Sequence, residues 1–195
     1  MSLISYHGDE SLKKDMIDEM RLHKNNDQLI KGTYSKQNDK FQACAVGCAV
    51  DSLRKKRGVK INYNDHAELA RALGWGEWLE RLHDLFFENL PEPENQDFAV
   101  NLLQAIPVGV NLEPVKWKFC AFILKENIDR VLNLKDISDD LKKQVVDAIH
   151  NVLSLHEDAI KTGMWNESAK SAAWSAAKSA ATSDAAAASS AAPDD

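Results

Sequence analysis

Apolar residues recur at spacings of three and four along most of this chain, and the elements they predict are helices. Leu12, Met16 and Met20 form one such stripe, with Ile17 beside it. Asp9 or Ser11 stands where a helix start needs a capping oxygen, and Lys24-Asn25-Asn26-Asp27 is polar enough to end or bend the helix. Lys31 to Lys40 reads as a surface loop with room for a short extended piece. The stretch Phe41-Gln42-Ala43-Cys44-Ala45-Val46-Gly47-Cys48-Ala49-Val50 is small and apolar between polar flanks. It opens the first buried helix of the core, which runs on through Arg57 to a terminating glycine, Gly58.

Asn62 or Asn64 caps a helix from Asp65 to Leu73, stopped by Gly74. Trp75, Trp78, Leu79, Leu82, Leu85, Phe86 and Leu90 then make a wide apolar stripe before the break at Pro91-Glu92-Pro93-Glu94. Phe98, Leu102 and Ile106 mark a short helix. Asn111 caps the next, with Pro114 in its first turn, where a missing N–H costs little. That helix has Trp117, Cys120, Ala121, Leu124, Ile128 and Val131 on one face and Phe119, Phe122 and Ile123 elsewhere, the pattern of a central helix. Ser138 opens the last, with Leu141, Val145, Ile149, Val152 and Leu155 in register, ending near Gly163. No run alternates as a strand does. The expected fold is all-α: a single compact helical domain of about seven helices over residues 1–163.

Residues 164–195 are different in kind. Ser171-Ala172-Ala173-Trp174, Ser175-Ala176-Ala177-Lys178 and Ser179-Ala180-Ala181-Thr182 repeat every four residues. Alanine favours helix, so this Ala/Ser-rich tail is expected to be helical or partly disordered. Trp165 and Trp174 lie nine residues apart, on roughly opposite faces of such a helix. Small residues at a spacing of four permit close helix approach, so the tail is also the candidate surface for a homo-oligomer.

The chain has 195 residues, 44% hydrophobic and 28% charged, with a net charge of −6. That balance opposes general affinity for nucleic acid or anionic membranes. No stretch is long and apolar enough for a membrane span, and the first residues lack a secretory pattern. Three cysteines do not make a disulfide framework, so a cytoplasmic protein with reduced thiols is expected.

Cys44 and Cys48, four apart on a helix, would face one way and could bind a metal together with a histidine such as His23, His7 or His66. The ordinary alternative is that both are small apolar residues at a tight helix contact. Cys44 also follows a loop near a helix start, where free N–H groups and the dipole lower a thiol pKa. It is therefore the candidate nucleophile of a thiol-dependent hydrolase or transferase, with His66 or His7 as base and Asp9 or Asp65 as orienting group. Tyr6-His7-Gly8-Asp9 forms either a pocket mouth or a capping turn. Glu68 to Trp75 looks like the start of a helix-turn-helix, but Glu77, Glu80 and Asp84 in the next helix oppose DNA reading. Arg54-Lys55-Lys56-Arg57 suits the negative end of a helix dipole and could also touch a phosphate. No phosphate-binding loop, dinucleotide fingerprint, metalloprotease motif or serine-hydrolase elbow is present, and no cofactor is expected.

Tyr6-His7-Gly8-Asp9, His23, Gln42-Ala43-Cys44-Ala45-Val46-Gly47-Cys48, Leu73-Gly74, Phe87-Glu88-Asn89-Leu90-Pro91 and Ala105-Ile106-Pro107-Val108-Gly109 occur in that order. In these blocks the chain resembles a family of uncharacterised bacterial and phage-encoded proteins, many ending in an alanine-rich repeat. The resemblance covers roughly residues 6 to 135 and the style of the tail. Family members more often have Leu-Gly-Ile-Pro where this chain has Leu73-Gly74-Trp75-Gly76. The resemblance implies no activity. The leading expectation is a small helical binding protein, phage- or mobile-element-related, with a protein or small-molecule partner. The rivals are the thiol enzyme and a metal-binding regulator using Cys44 and Cys48.

Overall fold

The computed structural model describes residues 3–37, 40–168 and 171, and among them it is all-α apart from one two-residue hairpin. Seven helices follow in order: α1 (Glu10–Asn25), α2 (Ala45–Arg57), α3 (His66–Ala72), α4 (Glu77–Asn89), α5 (Glu94–Ala105), α6 (Glu113–Asn133) and α7 (Asp139–Thr162). Strands β1 (Lys36–Gln37) and β2 (Phe41–Gln42) pair antiparallel between α1 and α2. No helix among the described residues is long and apolar enough to cross a membrane. The chain forms two compact units, Met1–Glu113 and Pro114–Asp195. The expected division at residue 163 coincides instead with the end of α7, where Gly163 adopts a left-handed conformation and caps the helix. The Ala/Ser repeats after Ser171, with Trp174, lie outside the described residues.

The first unit is organised around α2. Residues Ala45 to Leu53 are all buried, and α1, α3 and α4 pack against the helix. Only small side chains allow neighbours on every side, which explains Ala45, Gly47, Cys48 and Ala49. The helix starts later than the apolar pattern suggests. Phe41 and Gln42 are β2, and Cys44 is the N-cap, extended at φ −67° and ψ 177°. Gly58 ends it at φ 65°. The basic run at that end is consumed within the unit. Arg54 donates to the Ile61 carbonyl oxygen and lies 4.3 Å from the Tyr63 ring centre. Lys55 pairs with Asp51 at 2.6 Å, Lys56 with Glu19 at 3.0 Å, and Arg57 with Asp15 at 2.8 Å. All four cations hold the unit's own acceptors, so the phosphate-contact expectation gains nothing from the structure.

The block Tyr6-His7-Gly8-Asp9 is a knot that joins helix ends. Tyr6, His7 and Gly8 all have positive φ, a conformation costing about 1–2 kcal/mol for each residue with a side chain. Tertiary bonds hold it. Ser5 N–H donates to Val110 O at 2.9 Å, Tyr6 N–H to Leu73 O at 2.7 Å, and the buried Tyr6 hydroxyl to Leu103 O at 2.7 Å. His7 Nε2 lies 3.1 Å from the carbonyl oxygens of Arg71 and Ala72, so it is the protonated nitrogen and donates to them. Asp9 caps α1 through Ser11 N–H. Gly74 follows at φ +67°, and a side chain there would run into the Ile4 carbonyl oxygen. Gly74→Ala should therefore destabilise the first unit by about 3 kcal/mol or more, a midpoint fall on the order of 10 °C by thermal circular dichroism.

The second unit is thinner. Trp117, early in α6, meets His156, late in α7, so the two consecutive helices run antiparallel, and Lys125 pairs with Glu157 at 2.8 Å. Ala121, Ile128 and Leu153 form its buried centre, flanked by Leu124, Val146 and Ile149. The expectation that α6 is a central helix is not met. Phe122 is 57% exposed and Val115 45%, because a two-helix hairpin covers only one face of each helix. Trp165 closes the end of the hairpin, stacked on Trp117 at 4.8 Å with the planes 6° apart and 4.9 Å from His156. Removing this stack with Trp165→Ala should cost about 1–2 kcal/mol. The loss would show as a lower midpoint and a reduced near-ultraviolet dichroism band. An unchanged midpoint would mean that the stack contributes nothing.

Candidate functional site

The N-cap of α2 and one face of α4 bring three metal-ligating groups together. Cys44 Sγ and carboxylate oxygens of Asp84 and Glu88 all lie within 4.8 Å of one another. Asp84 and Glu88 are four residues apart on α4, so both carboxylates project from the same face. His66, the first residue of α3, places Nε2 3.2 Å from Asp84 Oδ2. The Tyr34 hydroxyl donates to that same oxygen at 3.3 Å, and its ring meets the His66 ring edge-on at 5.6 Å. Asp84 Oδ1 is buried without a hydrogen-bond partner. A buried carboxylate oxygen left unpaired is costly, which makes it the atom most open to a ligand.

The electrostatics are one-sided. Cys44 is 1% exposed. Burial is the main reason its thiol pKa is pushed up to about 12, and Asp84 and Glu88 add to the rise. Backbone N–H groups of Gly47 and Val46 point at the sulfur and pull the other way, but they do not prevail. The helix start thus acts on the thiol as the sequence implies, yet burial and two carboxylates outweigh it. Burial also raises the Tyr34 hydroxyl, with Asp84 contributing.

The structure brings Cys44 and His66 to one place through Asp84. The other sequence candidates lie elsewhere. His7 is bonded to Arg71 and Ala72, and Asp9 to Ser11 and Arg57. Asp65 caps α3 through Glu68 N–H. Cys48 directs its thiol at the carbonyl oxygens of Ala43 and Gln28, at 3.6 and 3.9 Å. His23, 1% exposed, sits with Nδ1 2.9 Å from Gln28 Oε1 and Nε2 3.4 Å from Asp51 Oδ2. Burial lowers its pKa.

Among the described residues, the metal-capable group is therefore Cys44 with Asp84 and Glu88, and Cys48 and His23 are not part of it. The reason is local. Two residues four apart share a helix face only when both are helical, and Cys44 is an extended N-cap. Asp84 and Glu88 escaped sequence reasoning because they read as the solvated side of an amphipathic helix. Their spacing of four, near the end of a helix that stops at Asn89, is the available signal.

Comparison with protein-family models, curated proteins and solved structures finds no match to this chain. The resemblance to bacterial and phage-encoded proteins accordingly stays an expectation.

The thiol geometry fixes a pH response. The folded-state pKa of Cys44 is raised from 9.0 to about 12, so the folded state keeps a proton that the unfolded chain releases. The stabilisation is complete below pH 9 and is lost as pH rises towards 12, by at most about 1.4 kcal/mol per pH unit. Cys44→Ser should flatten the alkaline limb of the stability curve. In the metal-free native protein, Cys44 should resist alkylation at pH 8 until denaturant is added.

Proposed function

We propose that this chain is a metal-binding protein whose first unit takes a thiophilic divalent cation of the zinc class on Cys44, Asp84 and Glu88. The observation that carries the reading is the convergence of one thiol and two carboxylates within 4.8 Å. A tetrahedral zinc ion holds its ligand atoms about 3.5 Å apart, so modest side-chain rotations would complete three corners. Asp84 Oδ1 is the buried oxygen without a partner, while Oδ2 is held by His66 and Tyr34. That division is the usual one between a ligating oxygen and its supporting hydrogen bonds. A cation would also reverse the electrostatics, replacing the Cys44 proton with a metal–thiolate bond.

The same features oppose the rival reading of Cys44 as a free nucleophile. A nucleophilic thiolate needs positive neighbours, and this thiol has two carboxylates beside it. The proposal belongs with the binding-protein expectation and moves the metal-binding alternative from Cys48 to α4. A cytoplasmic setting, where the thiol stays reduced, and a phage-related origin are parts of the proposal that rest on sequence alone.

Full-length protein kept under a non-coordinating reductant should bind one equivalent of Co2+ or Zn2+. The cobalt form should show a thiolate-to-metal charge-transfer band. Cys44→Ser should abolish that band, and Asp84→Asn should weaken binding about 10-fold or more. Absence of stoichiometric binding by the wild-type chain would end the metal reading.

A further inference from the structure

Three consecutive residues of the segment before β1 each hold one residue of this site. Gly32 N–H donates to the Glu88 carboxylate, at 2.9 Å to Oε2 and 3.2 Å to Oε1. Thr33 O accepts from the Cys44 backbone N–H at 2.6 Å. The Tyr34 hydroxyl donates to Asp84 Oδ2 at 3.3 Å. The segment is itself pinned on both sides. Lys31 Nζ donates to Leu90 O just beyond α4, and Ile30 N–H donates to Ala43 O at 2.9 Å. It can lie this close to α2 because residue 47 is glycine, since a side chain there would collide with the Tyr34 carbonyl oxygen.

Resting on the metal reading above, we infer that Gly32-Thr33-Tyr34, seated on Gly47, is the positioning strap of the cation site, with Tyr34 its specificity-determining residue. The strap fixes both carboxylates and the thiol-bearing backbone from one side. Each carboxylate is then tethered by a donor to one aspect and presents its remaining lone pairs to the other. A site held in this way cannot swing in the six to eight oxygens that a calcium ion needs. It suits a small ion content with about four ligands, one of them sulfur. Tyr34 acts through Asp84 and does not touch the cation. Its hydroxyl, together with His66, keeps Oδ2 occupied and leaves Oδ1 as the oxygen without a partner. The glycine of the Cys44–Cys48 block thereby gains a role that helix packing alone does not require.

Tyr34→Phe removes only the hydroxyl of a side chain that is 36% exposed, so the variant should fold as the wild type does. Cobalt titration of the full chain, monitored by the charge-transfer and visible ligand-field bands, should show affinity reduced about 10-fold to 100-fold. The ligand-field bands should shift as well, which a merely structural role for Tyr34 would not produce. Gly47→Ala, which displaces the strap as a whole, should lose more affinity than Tyr34→Phe. If the wild type binds cobalt and Tyr34→Phe matches it in affinity and spectrum, the strap inference is overturned and the metal site stands. If the wild type binds no cobalt, both fall together.

Discussion

A helix buried on every side over its first turns leaves little room for large side chains, and that constraint shapes the whole first unit. From Ala45 to Leu53 every residue of α2 is buried. Three helices and the segment before β1 come against it, and Gly47 is the residue that lets that segment approach. The packing that results is dense, so polar groups drawn into it face one another more than water. Asp51 illustrates this. It lies 6% exposed on α2 and is met by Lys55, by His23 from α1 and by the Tyr63 hydroxyl. Glu80 and His83, both fully buried on α4, face each other at 3.5 Å, although no carboxylate oxygen or ring nitrogen of the two makes a hydrogen bond. Pairs of this kind specify one arrangement of the helices more than they strengthen it, because the cost of removing them from water nearly cancels their attraction.

Periodicity carried the helices of this chain well. Leu12, Met16 and Met20 are buried as their spacing implies, and the caps at Asp9, Ser138, Gly58 and Gly163 stand where the sequence puts them. Helix starts at extended residues were less legible. Cys44 sits in a run that reads as helix, but its extended backbone, with ψ at 177° and its N–H donated to Thr33 O, makes it the N-cap. The Tyr6 block shows another limit. Its sequence fits a pocket mouth or a capping turn, and Asp9 does cap α1, while Tyr6 and the neighbouring Ser5 tie Leu73, Leu103 and Val110 together. Local pattern cannot reveal a bond across nearly a hundred positions.

The candidate site divides along the same line. His66 and Cys44 could be nominated from sequence because each carries its own chemistry. Asp84 and Glu88 could not be separated from the other acids of α4, since an acid on the polar side of a helix is ordinary. What distinguishes them is the segment from Gly32 to Tyr34, which covers that part of α4 and turns a solvated face into a partly buried one. Burial by a loop is a tertiary event with no periodic signature.

Two influences on the Cys44 thiol compete, and their sizes decide what it is suited to do. A helix start favours a thiolate by about 0.3–1 kcal/mol, up to about 2 kcal/mol when partly buried. Burial can oppose it by up to about 3–5 pKa units, and each unit is worth about 1.4 kcal/mol. In this chain burial dominates, and both carboxylates act on the same side. A base such as His66 does not alter that balance, because moving a proton between neighbours leaves the surplus negative charge in place. A divalent cation alters it directly, supplying positive charge at the point where thiol and carboxylates converge. The groups that make Cys44 a poor nucleophile are therefore the groups that would make it a good ligand.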